Sequence, residues 1–364
     1  MSLQSKIRNR LTGAGGNDPR LLVDLSAWHR RLVESEGAES PWRGETLPQI
    51  YRELGLPIWQ VARPWKVEYP GLHVRKEATA TARTLTVETA SGPLVWRWQR
   101  DSDGIWQQRG YPVTGAADLP AAVLWARAQS YSLDTAGLTE MEAEIGSDGV
   151  LVIELPAHPA TQVARDLIGW ERASSLLGEP AIALILEALA NSHLDLVTAL
   201  AQLAPTFMLS PDDLGAGVFP TAFLEDYVLP AYSTTVAELG EYRKKLLVRS
   251  LGPVDGIAEA LLTAGISGLT NVAADGPGSS AGAISARLGE RLVLWGGISA
   301  AALCPPEPPE AFQRAVQEAA ADSAGHSGVL LGLAGPLPLN ADLDRLRSVS
   351  QWLLHESGSE SQSI

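Results

Sequence analysis

The chain has 364 residues, of which 45% are hydrophobic and 19% charged, a composition typical of a globular protein. Its 28 Lys and Arg against 42 Asp and Glu give a net charge of −14, which repels phosphate backbones and anionic membrane surfaces, so neither nucleic acid nor a membrane is an expected partner. The single cysteine, Cys304, excludes an intrachain disulfide and any metal site built from two cysteines, and it fits a reducing cytoplasm as the expected location.

The two ends of the chain carry no targeting signal that we recognise. The first residues, MSLQSKIRNRL, are basic but are followed by TGAGGNDPR and not by an apolar run. We expect residues 1–19 to be flexible and residues 20–355 to form one domain. The apolar stretch 181–190 is too short to span a membrane. The tail 356–364 has no apolar residue before its last position, and it is predicted to be disordered.

The segment 84–109 has the pattern of antiparallel strands. It reads TLTVETASGPLVWRWQRDSDGIWQQR, in which β-branched and aromatic runs are separated by the turn signals SGP and DG. This predicts a hairpin or meander within an N-terminal lobe of about residues 46–121. The following part, 120–203, is predicted to be mostly helical, with one buried strand, VLVIEL, at 150–155.

From Ala204 onward, apolar runs of strand length alternate with amphipathic stretches of helix length. The runs are TFML (206–209), KLLVRS (245–250), GLTNV (268–272), RLVLWGGI (291–298) and GVLLGL (328–333), with LLVDL (21–25) available upstream. Strands that are apolar throughout, each followed by a helix, predict a parallel sheet covered on both faces. A closed (β/α)8 barrel fits this series, although a doubly wound open sheet would give the same local pattern.

In either architecture, chemistry is expected beyond the carboxyl ends of the strands, where the connecting loops converge. Those ends are 210–215, 249–253, 271–276, 296–299 and 332–336, and each contains glycine, proline or both. Such residues suit tight turns and close backbone approach to a ligand. Asn271 and Gly297 are therefore candidates for substrate binding.

Several segments together resemble the uroporphyrinogen decarboxylase superfamily, which also contains cobalamin-dependent methyltransferases. They are LSPDDLGAGVFPTAFLEDYVLPAY (209–232), LLVRSLGPVDGIAEALLTAGISGLTNV (246–272) and LVLWGGIS (292–299). Upstream, TLPQIYRELGLPIW (46–59), TASGPLVWRW (89–98) and GIWQQRGYPVTGAADLPA (104–121) are similar to the N-terminal lobe of the methyltransferase-type members. The resemblance spans most of the chain and implies a (β/α)8 TIM barrel with an N-terminal α+β extension.

The sequence departs from the zinc site of these methyltransferases. The family carries His-x-Cys on the strand that here ends in Arg249 and Leu251, and a second cysteine where this chain has Gly335 or a neighbour. A guanidinium does not ligate zinc at neutral pH, and leucine has no donor atom, so no metal site is expected. The true decarboxylases carry an Arg-Gln-Ala-Gly-Arg segment, of which IWQVARPW (58–65) keeps only Arg63.

Two adjacent carboxylates, Asp212 and Asp213, follow the predicted strand 206–209. At a strand end, one of them would hold a substrate cation or polarise a proton, while repulsion from its neighbour raises one pKa. The alternative is an N-cap and helix-dipole pair before the helix that starts near Pro220. The resemblance favours a catalytic role for at least one of the two.

Arg249 lies on a predicted buried strand, where a guanidinium requires an anionic partner. At a barrel mouth it would clamp a carboxylate or phosphate of the substrate. A structural salt bridge to Asp213 or Asp275 is the alternative, and the sequence leaves both open.

Aromatic residues supply the remaining candidates for substrate binding. Trp59, Arg63 and Trp65 share one face if their segment is a strand, which would line a pocket for a planar ligand. Trp295 would form a pocket wall in the same way. Ordinary packing of the lobe against the barrel is the alternative for these residues.

Three functions remain open at this point. The resemblance implies methyl transfer to or from a corrinoid or folate-type carrier without zinc, on a small-molecule substrate, with no tightly bound cofactor and with a corrinoid held by a small partner protein. The first alternative is decarboxylation of an acidic substrate, in which Arg249 and Arg63 hold carboxylates. The second is a binding subunit that kept the barrel and lost the chemistry.

Overall fold

The computed structural model describes residues 2–13, 21–34, 40–102, 104–273 and 280–360, with residues 354–360 described by their backbone alone. Its strands are β1 (Ile58–Ala62), β2 (Trp65–Glu68), β3 (His73–Ala78), β4 (Ala82–Thr89), β5 (Gly92–Arg100), β6 (Trp106–Gly110), β7 (Ser130–Leu133), β8 (Gly149–Glu154), β9 (Phe207–Leu214), β10 (Lys245–Ser250), β11 (Gly268–Val272), β12 (Val293–Ser299) and β13 (Val329–Ala334).

Helices connect and cover these strands. They are α1 (Leu3–Leu11), α2 (Ser26–Glu34), α3 (Leu47–Leu54), α4 (Leu119–Ala128), α5 (Leu138–Ile145), α6 (Pro159–Thr161), α7 (Trp170–Leu176), α8 (Pro180–Ala201), α9 (Thr221–Phe223), α10 (Leu229–Glu241), α11 (Ala258–Thr263), α12 (Ala281–Leu288), α13 (Pro309–Ser323) and α14 (Leu343–Glu360). Segments of π-helix, Gln162–Ile168 and Leu224–Val228, follow α6 and α9, and 3-10 turns lie at Ala116–Asp118 and Ala300–Leu303.

One parallel sheet of seven strands forms the centre of the molecule, in the order β1-β8-β9-β10-β11-β12-β13. Helices separate most successive strands, and β8 is buried at all six of its residues. Burial on both faces is why these strands read as continuous apolar runs. The strands predicted from Ala204 onward, and the one predicted at 150–155, are confirmed with small shifts in their bounds, except that β9 continues past the predicted end at 209 to Leu214.

The sheet curls into a TIM-barrel-like half-barrel, but main-chain pairing does not close it among the described residues. The segment 21–25 lies beside β13, where Leu21 forms a single parallel bridge with Leu331. The amide of Leu22 donates to the carbonyl oxygen of Leu331 at 3.0 Å. The predicted closed (β/α)8 barrel is therefore confirmed only as a curled, barrel-like sheet with an N-terminal α+β lobe.

The hydroxyl of Tyr51 links the segment 21–25 to β1 in place of a strand ladder. It accepts a hydrogen bond from the amide of Leu25 at 2.9 Å. The same oxygen lies 2.7 Å from the carbonyl oxygen of Val23 and 2.8 Å from that of Trp59. A side chain thus satisfies backbone groups that an eighth strand pairing would otherwise use.

Aromatic rings from three strands fill the interior of the curled sheet. The ring centroid of Trp59 on β1 lies 4.7 Å from that of Trp295 on β12 and 6.4 Å from that of Phe207 on β9. The indole Nε1 of Trp295 donates to the carbonyl oxygen of Leu22 at 2.8 Å. Trp59 and Trp295 are buried core residues, which agrees with the packing that the sequence left as the alternative to substrate contact. Their strands point these two side chains inward, into the packed core.

Gly332 on β13 leaves the room that the indole of Trp295 occupies. A Cβ at this position would lie 2.0 Å from Nε1 of Trp295 and 2.7 Å from the carbonyl oxygen of Leu22. We expect Gly332→Ala to lower the free energy of unfolding by about 2 kcal/mol, because a packed interior accepts an extra methyl only by shifting backbone. Gly178→Ala is the control, since its added Cβ meets nothing within 4 Å. Equal urea midpoints for the two variants would contradict this account.

An antiparallel lobe lies over the carboxyl ends of the parallel strands. Strands β3, β4, β5 and β6 form a meander in that order, and β2 pairs with β7. The meander predicted within 84–109 is confirmed. It gains a further strand, β3, which the sequence did not reveal because HVRKEA at 73–78 is largely polar and exposed. Strand β7 also extends the lobe beyond the expected limit of residue 121.

A helix lies at each end of the described chain. Residues Leu3–Leu11 form α1, whose Ile7 and Leu11 are buried, because these apolar side chains lie three to four residues apart on one helix face. The flexibility expected for 1–19 stays a prediction, and residues 14–20 lie outside the described part. Helix α14 reaches Glu360, into the tail predicted to be disordered, and residues 361–364 lie outside the described part.

Helix α8 is longer than the apolar stretch 181–190 suggested. It has 22 residues, and it is the one described helix whose length and hydropathy would allow it to cross a membrane. One side packs against α4 and α10, while Glu187, Asn191 and Asp195 are exposed on the other. A buried face opposite a polar stripe is the pattern of an amphipathic helix packed on a protein core.

Candidate functional site

A cavity of about 530 Å³ lies between the antiparallel lobe and the carboxyl ends of the parallel strands. Its floor contains Arg63, Glu154, Pro211, Asp213 and Arg249, and its roof contains Tyr69, Leu85, Trp96, Trp98 and Gln108. The floor residues lie at the ends of β1, β8, β9 and β10, where sites on parallel barrels are built. A cavity of about 520 Å³ on the outer face of α8 contains none of the predicted site residues.

An irregularity in β9 separates the two predicted catalytic carboxylates. Ser210 on β9 pairs with Val248 on β10, and the next pair is Leu214 with Ser250. The chain therefore advances four residues along β9 where it advances two along β10. Pro211 has no amide hydrogen for a ladder, and Asp213 has a left-handed φ of 54°. The bulge leaves Asp212 fully buried and directs Asp213 into the cavity. The two adjacent aspartates therefore face different surroundings.

Asp213 lies between two guanidinium groups. Nε of Arg249 donates to its Oδ1 at 2.5 Å and Nη2 to its Oδ2 at 3.1 Å, while Nη1 of Arg165 donates to Oδ2 at 3.3 Å. Arg165 also holds Asp166 through contacts of 2.7 and 3.2 Å. Burial lowers the pKa of both arginines, but the neighbouring carboxylates outweigh it and raise each pKa above its ordinary value.

This array resolves part of the question about Arg249. The structural interpretation required a salt bridge to Asp213 or Asp275, and the salt bridge to Asp213 is present. Asp275 lies outside the described residues. The guanidinium is still about one-third exposed and lines the cavity. Arg249 is therefore both a structural partner and a group that a ligand in the cavity would meet.

Arg63 and Glu154 form a second ion pair on the cavity floor. Nε of Arg63 donates to Oε1 of Glu154 at 2.9 Å, and Nη2 contacts the same oxygen. The guanidinium also lies 5.3 Å from the ring centroid of Trp65, whose Nε1 donates to the carbonyl oxygen of Glu154 at 2.7 Å. The structure thus brings Arg63 to the cavity, as predicted, with its charge already neutralised by a carboxylate.

Aromatic rings and amides form the upper part of the cavity. Trp125 on α4 packs against Trp96 with ring centroids 5.6 Å apart and against Tyr69 with centroids 6.2 Å apart. Nε2 of Gln129 donates to the hydroxyl of Tyr131 at 2.8 Å. Burial raises the pKa of the Tyr131 hydroxyl, which therefore stays protonated at neutral pH. These flat faces suit stacking of a planar ligand group, while the amides offer hydrogen bonds.

Asp212 accepts three hydrogen bonds beneath the cavity. The donors are the amide of His158 at 2.7 Å, the hydroxyl of Ser210 at 2.5 Å and the hydroxyl of Tyr232. Burial alone would raise the pKa of Asp212, but the adjacent His158 and the three donors lower it below its ordinary value. Asp212 is fully buried and does not line the cavity, which favours a structural role over the predicted catalytic one.

Two buried histidines pack around this carboxylate. The ring of His158 stacks on that of Tyr232 with centroids 4.3 Å apart, and its centroid lies 6.3 Å from that of His193 on α8. Nδ1 of His158 accepts from the amide of Ala160 at 3.2 Å. Burial lowers the pKa of His158 to about 4 and that of His193 to about 3, so both are neutral at pH 7.

Asp24 is a further carboxyl near the cavity that the sequence did not single out. Its Oδ1 accepts from the amide of Ser26 at 2.8 Å, where α2 begins. Burial raises the pKa of Asp24, the charge of Glu154 adds to the rise, and Arg249 opposes it. Burial therefore disfavours the charged form of this carboxyl, while the hydrogen bonds from Ser26 and the charge of Arg249 favour it.

Two of the predicted binding residues lie away from the cavity lining. Asn271 has a left-handed φ of 61°, and its Nδ2 donates to the carbonyl oxygen of Gly335 at 3.3 Å. Gly297 has a φ of 89° and lies beside Ala319. Both occupy strand ends, as expected, but on β11 and β12 and not on the strands that form the cavity floor.

The described residues contain no group of three or more His, Cys, Asp or Glu side chains placed to hold a metal ion. Arg249 uses its guanidinium on Asp213, and Leu251 is exposed on the following loop. The absence of zinc stays a prediction from the chemistry of these two residues.

The sequence did not predict several residues of this site. Glu154, Arg165 and His158 meet partners between 46 and 91 positions away along the chain. One signal was present, because Glu154 is a lone charged residue near the end of the apolar run VLVIEL. A charge at the carboxyl end of a buried strand is where a barrel site is expected.

Comparison with solved structures gives a match over nearly the whole chain. No protein-family model matches the chain, and no curated protein sequence matches it. A solved structure of a methyltransferase from Methanosarcina mazei aligns over 98% of this chain and 99% of its own length, with a TM-score of 0.62 and 14% sequence identity. The chain therefore shares the overall fold of that methyltransferase.

Two solved structures of D-psicose 3-epimerase align with a smaller part of the chain. One is from Clostridium cellulolyticum H10 with D-tagatose, at 11% identity and a TM-score of 0.35. The other was crystallised in the presence of D-fructose, at 10% identity and a TM-score of 0.37. Each alignment covers 61% of this chain and 82% of the epimerase chain. Neither similarity is close enough to support an argument about this protein.

Proposed function

We propose that the chain is a methyltransferase of the uroporphyrinogen decarboxylase superfamily, which moves a methyl group to or from a corrinoid or folate-type carrier without zinc. The observation that carries the proposal is the 530 Å³ cavity at the carboxyl ends of β1, β8, β9 and β10, in a chain that shares its fold with a methyltransferase over 98% of its length. The segments that resemble the superfamily, including 209–232 and 246–272, supply two of these strands and the loops that follow them.

The residues of the cavity serve such a transfer in two ways, by stacking on a flat carrier group and by forming a fixed polar floor. Trp96, Trp98 and Trp125 offer apolar faces on which a flat carrier group stacks. Asp213 holds Arg249 and Arg165 in fixed positions, so the polar floor is already ordered before substrate arrives. In such a transfer, an electron pair of the methyl acceptor would form the bond to the methyl carbon, and the electrons of the broken bond would stay on the methyl donor, whether that donor is the carrier or the substrate. The protein orients the two partners and excludes water.

The size of the cavity bears on which carrier enters it. A volume of about 530 Å³ is that of a site for a small organic molecule. A folate-type carrier fits such a site, whereas a corrinoid is larger. A corrinoid would therefore approach the mouth of the cavity on a small partner protein, with only its methyl group entering.

Decarboxylation of an acidic substrate has less support. That reaction would use Arg63 and Arg249 to hold substrate carboxylates, but these two and Arg165 are already paired with Glu154, Asp213 and Asp166. A substrate carboxylate would have to displace a carboxylate of the protein. The paired arginines are better explained as a fixed polar floor.

Spectroscopic assays of methyl transfer test the proposal. The protein is incubated with methylcobalamin and tetrahydrofolate, and separately with reduced cobalamin and 5-methyltetrahydrofolate, while the corrinoid absorbance is followed. We expect a protein-dependent change in at least one direction. Asp213→Asn should slow it at least about tenfold, because the array loses the charge that fixes two guanidiniums. Asp255→Asn, which removes an exposed ion-pair partner of Arg287, is the control.

A parallel assay measures carbon dioxide release from uroporphyrinogen. Turnover of that substrate would replace the proposal with the decarboxylase alternative. A third outcome is that the folded protein shows no activity in any of these assays while Asp213→Asn binds ligand as the wild type does. That combination of results would favour the non-catalytic binding subunit.

A further inference from the structure

Two side-chain amides and a phenol hydroxyl form one hydrogen-bonded chain in the wall of the cavity. Nε2 of Gln162 donates to the carbonyl oxygen of Ala157 at 2.7 Å. Oε1 of Gln162 accepts from Nε2 of Gln129 at 3.1 Å, and the same nitrogen donates to the hydroxyl oxygen of Tyr131 at 2.8 Å. All four residues line the cavity between the lobe and the strand ends. We call Gln129, Tyr131 and Gln162 the polar wall.

Local structure places two of these side chains on the same side of the chain. Helix α4 ends at Ala128, and the amide of Gln129 caps it by donating to the carbonyl oxygen of Trp125 at 3.1 Å. Gln129 is extended, with φ of −67° and ψ of 128°, and β7 begins at the next residue. Side chains two apart on an extended chain point to the same side, so Gln129 and Tyr131 present their polar ends together. Gln129 and Gln162 are only 5% and 8% exposed, so protein contacts hold their amides.

The carbonyl of Ala157 fixes which way each amide points. A carbonyl oxygen only accepts hydrogen bonds, so the atom of Gln162 that faces it is the nitrogen, and the oxygen of Gln162 faces Gln129. The atom of Gln129 that faces this oxygen is therefore its nitrogen. Both hydrogens of that nitrogen are then used, one on Gln162 and one on Tyr131. Tyr131 thus receives a hydrogen bond from Gln129 and does not give one to it.

The count of donors and acceptors in the polar wall leaves two atoms for a ligand. The hydroxyl oxygen of Tyr131 accepts from Gln129 at 2.8 Å and from Nε2 of Gln162 at 3.4 Å, so its own hydrogen points elsewhere. Among the residues that the structure describes, none accepts that hydrogen and none donates to Oε1 of Gln129. A free donor therefore lies beside a free acceptor, on two groups that are hydrogen-bonded neighbours.

The contacts of Gln162 place these two atoms at the cavity of the proposed function. Gln129 and Tyr131 also line the second cavity, on the outer face of α8, but Gln162 and Ala157 line the first cavity alone. The ring of Tyr131 meets that of Trp65, another residue of the first cavity, with centroids 5.4 Å apart. Because the polar ends of Gln129 and Tyr131 both meet Gln162, they belong to the first cavity.

The charges on the floor of the cavity already balance. Three guanidiniums are paired with three carboxylates, namely Arg63, Arg165 and Arg249 with Glu154, Asp166 and Asp213. Among the described residues that line the cavity, the remaining charged one is Arg30, which is exposed. An uncharged ligand leaves all of these ion pairs intact, whereas a charged ligand would compete with them.

We propose that the cavity binds an uncharged flat heterocycle by its lactam edge, that is, by a ring carbonyl next to a ring N–H. The carbonyl accepts from the hydroxyl of Tyr131, and the N–H donates to Oε1 of Gln129. The ring stacks on the indoles of Trp98 and Trp125. Pyrimidinones, pterins and flavins carry such an edge. This inference rests on the proposed function in taking the cavity as the substrate site, and it names the chemical class of the flat group that enters it.

Two pairs of fluorescent probes test the proposal by titration with the full chain. Pterin carries the lactam edge, whereas 2,4-diaminopteridine has an amino group and an unprotonated ring nitrogen in its place. Lumiflavin carries the edge, whereas 3-methyllumiflavin has lost the N–H. We expect at least one lactam probe to bind about tenfold more tightly than its partner, because the partner loses one or both hydrogen bonds to largely buried groups. Tyr131→Phe and Gln129→Met should each reduce this advantage about threefold, with thermal melting as the check that each variant is folded.

Two control variants make the result specific to the polar wall. Tyr242→Phe removes an exposed hydroxyl that lies in neither cavity lining, and Asn191→Ala alters the second cavity alone. Both should leave the advantage of the lactam probe unchanged. A loss in Asn191→Ala equal to that in Tyr131→Phe would assign the probe to the second cavity and overturn the proposal.

Three other results would also overturn it. They are equal affinities within both pairs, no binding of any probe at its solubility limit, and an advantage that persists undiminished in Tyr131→Phe. Methyl transfer together with equal affinities within both pairs would leave the proposed function standing. Lactam-dependent binding without methyl transfer would overturn the proposed function alone.

Discussion

Asp212→Ala is expected to lower the free energy of unfolding by about 4 kcal/mol. The substitution leaves three buried donors, the amide of His158 and the hydroxyls of Ser210 and Tyr232, without their acceptor. Each unsatisfied buried donor costs about 1–3 kcal/mol, and the missing carboxylate leaves a small void as well. Urea denaturation followed by circular dichroism measures the loss.

Two further variants make this result specific to the buried network. Tyr232→Phe removes one donor and should cost about 1.5 kcal/mol. Asp255→Ala, which removes an exposed ion-pair partner of Arg287, should cost less than about 1 kcal/mol. If Asp212→Ala were as stable as Asp255→Ala while methyl transfer stopped, Asp212 would be catalytic and not structural.

Acidification below pH 6.5 is expected to destabilise the fold through two buried histidines. Burial lowers the pKa of His158 from 6.5 to about 4 and that of His193 from 6.5 to about 3. Below pH 6.5 the unfolded chain therefore binds protons that the folded chain does not accept. Their contribution to stability is complete above pH 6.5 and is lost as pH falls toward the folded pKa values, by about 1.4 kcal/mol per pH unit for each histidine.

The titration of Asp212 lies outside the pH range in which the two histidines act. Its pKa is lowered from 3.8, so its own contribution is lost only as pH falls below that value. Chemical denaturation at pH 7.5, 6.5, 5.5 and 4.5 gives the slope. His193→Gln should reduce the slope by about half, because one of the two depressed histidines is gone. A wild-type stability that is constant between pH 6.5 and 4.5 would show that these histidines are accessible to protons in the folded state.

The fold was largely predictable where local patterns decide it. The runs at 245–250 and 268–272 are apolar throughout because their strands are covered on both faces, and the structure places β10 and β11 at those positions. The gap in the barrel was not predictable. It is bridged by Tyr51, a side chain that forms hydrogen bonds with the backbone on both sides of the gap and leaves no pattern in its own segment.

The site was predictable only in part, because its residues meet over long sequence distances. Arg249 and Asp213 were found from their places at strand ends, and Arg63 was found from the strand face that it shares with Trp59 and Trp65; all three line the cavity. The sequence did not separate Asp212 from Asp213, since the bulge that turns them apart has no local signal beyond Pro211. A strand pattern shows which residues share a face, but it does not show whether that face is open or packed.

Strand β3 illustrates the same limit. It is polar and largely exposed, so the sequence did not reveal it. Only the pairing of β3 with β4 shows that Lys76 lies opposite Leu85, which lines the cavity. The surroundings of this strand follow from register and not from composition.

The most direct test of the central claim, that methyl transfer takes place in the cavity between the lobe and the strand ends, is the corrinoid assay on Arg249→Ala measured together with thermal melting. Asp213 keeps Arg165 as a partner in this variant, so the fold should survive. We expect the transfer rate to fall at least about thirtyfold while the melting temperature stays close to that of Arg287→Ala, an exposed control. An unchanged rate with a folded Arg249→Ala protein would contradict the claim.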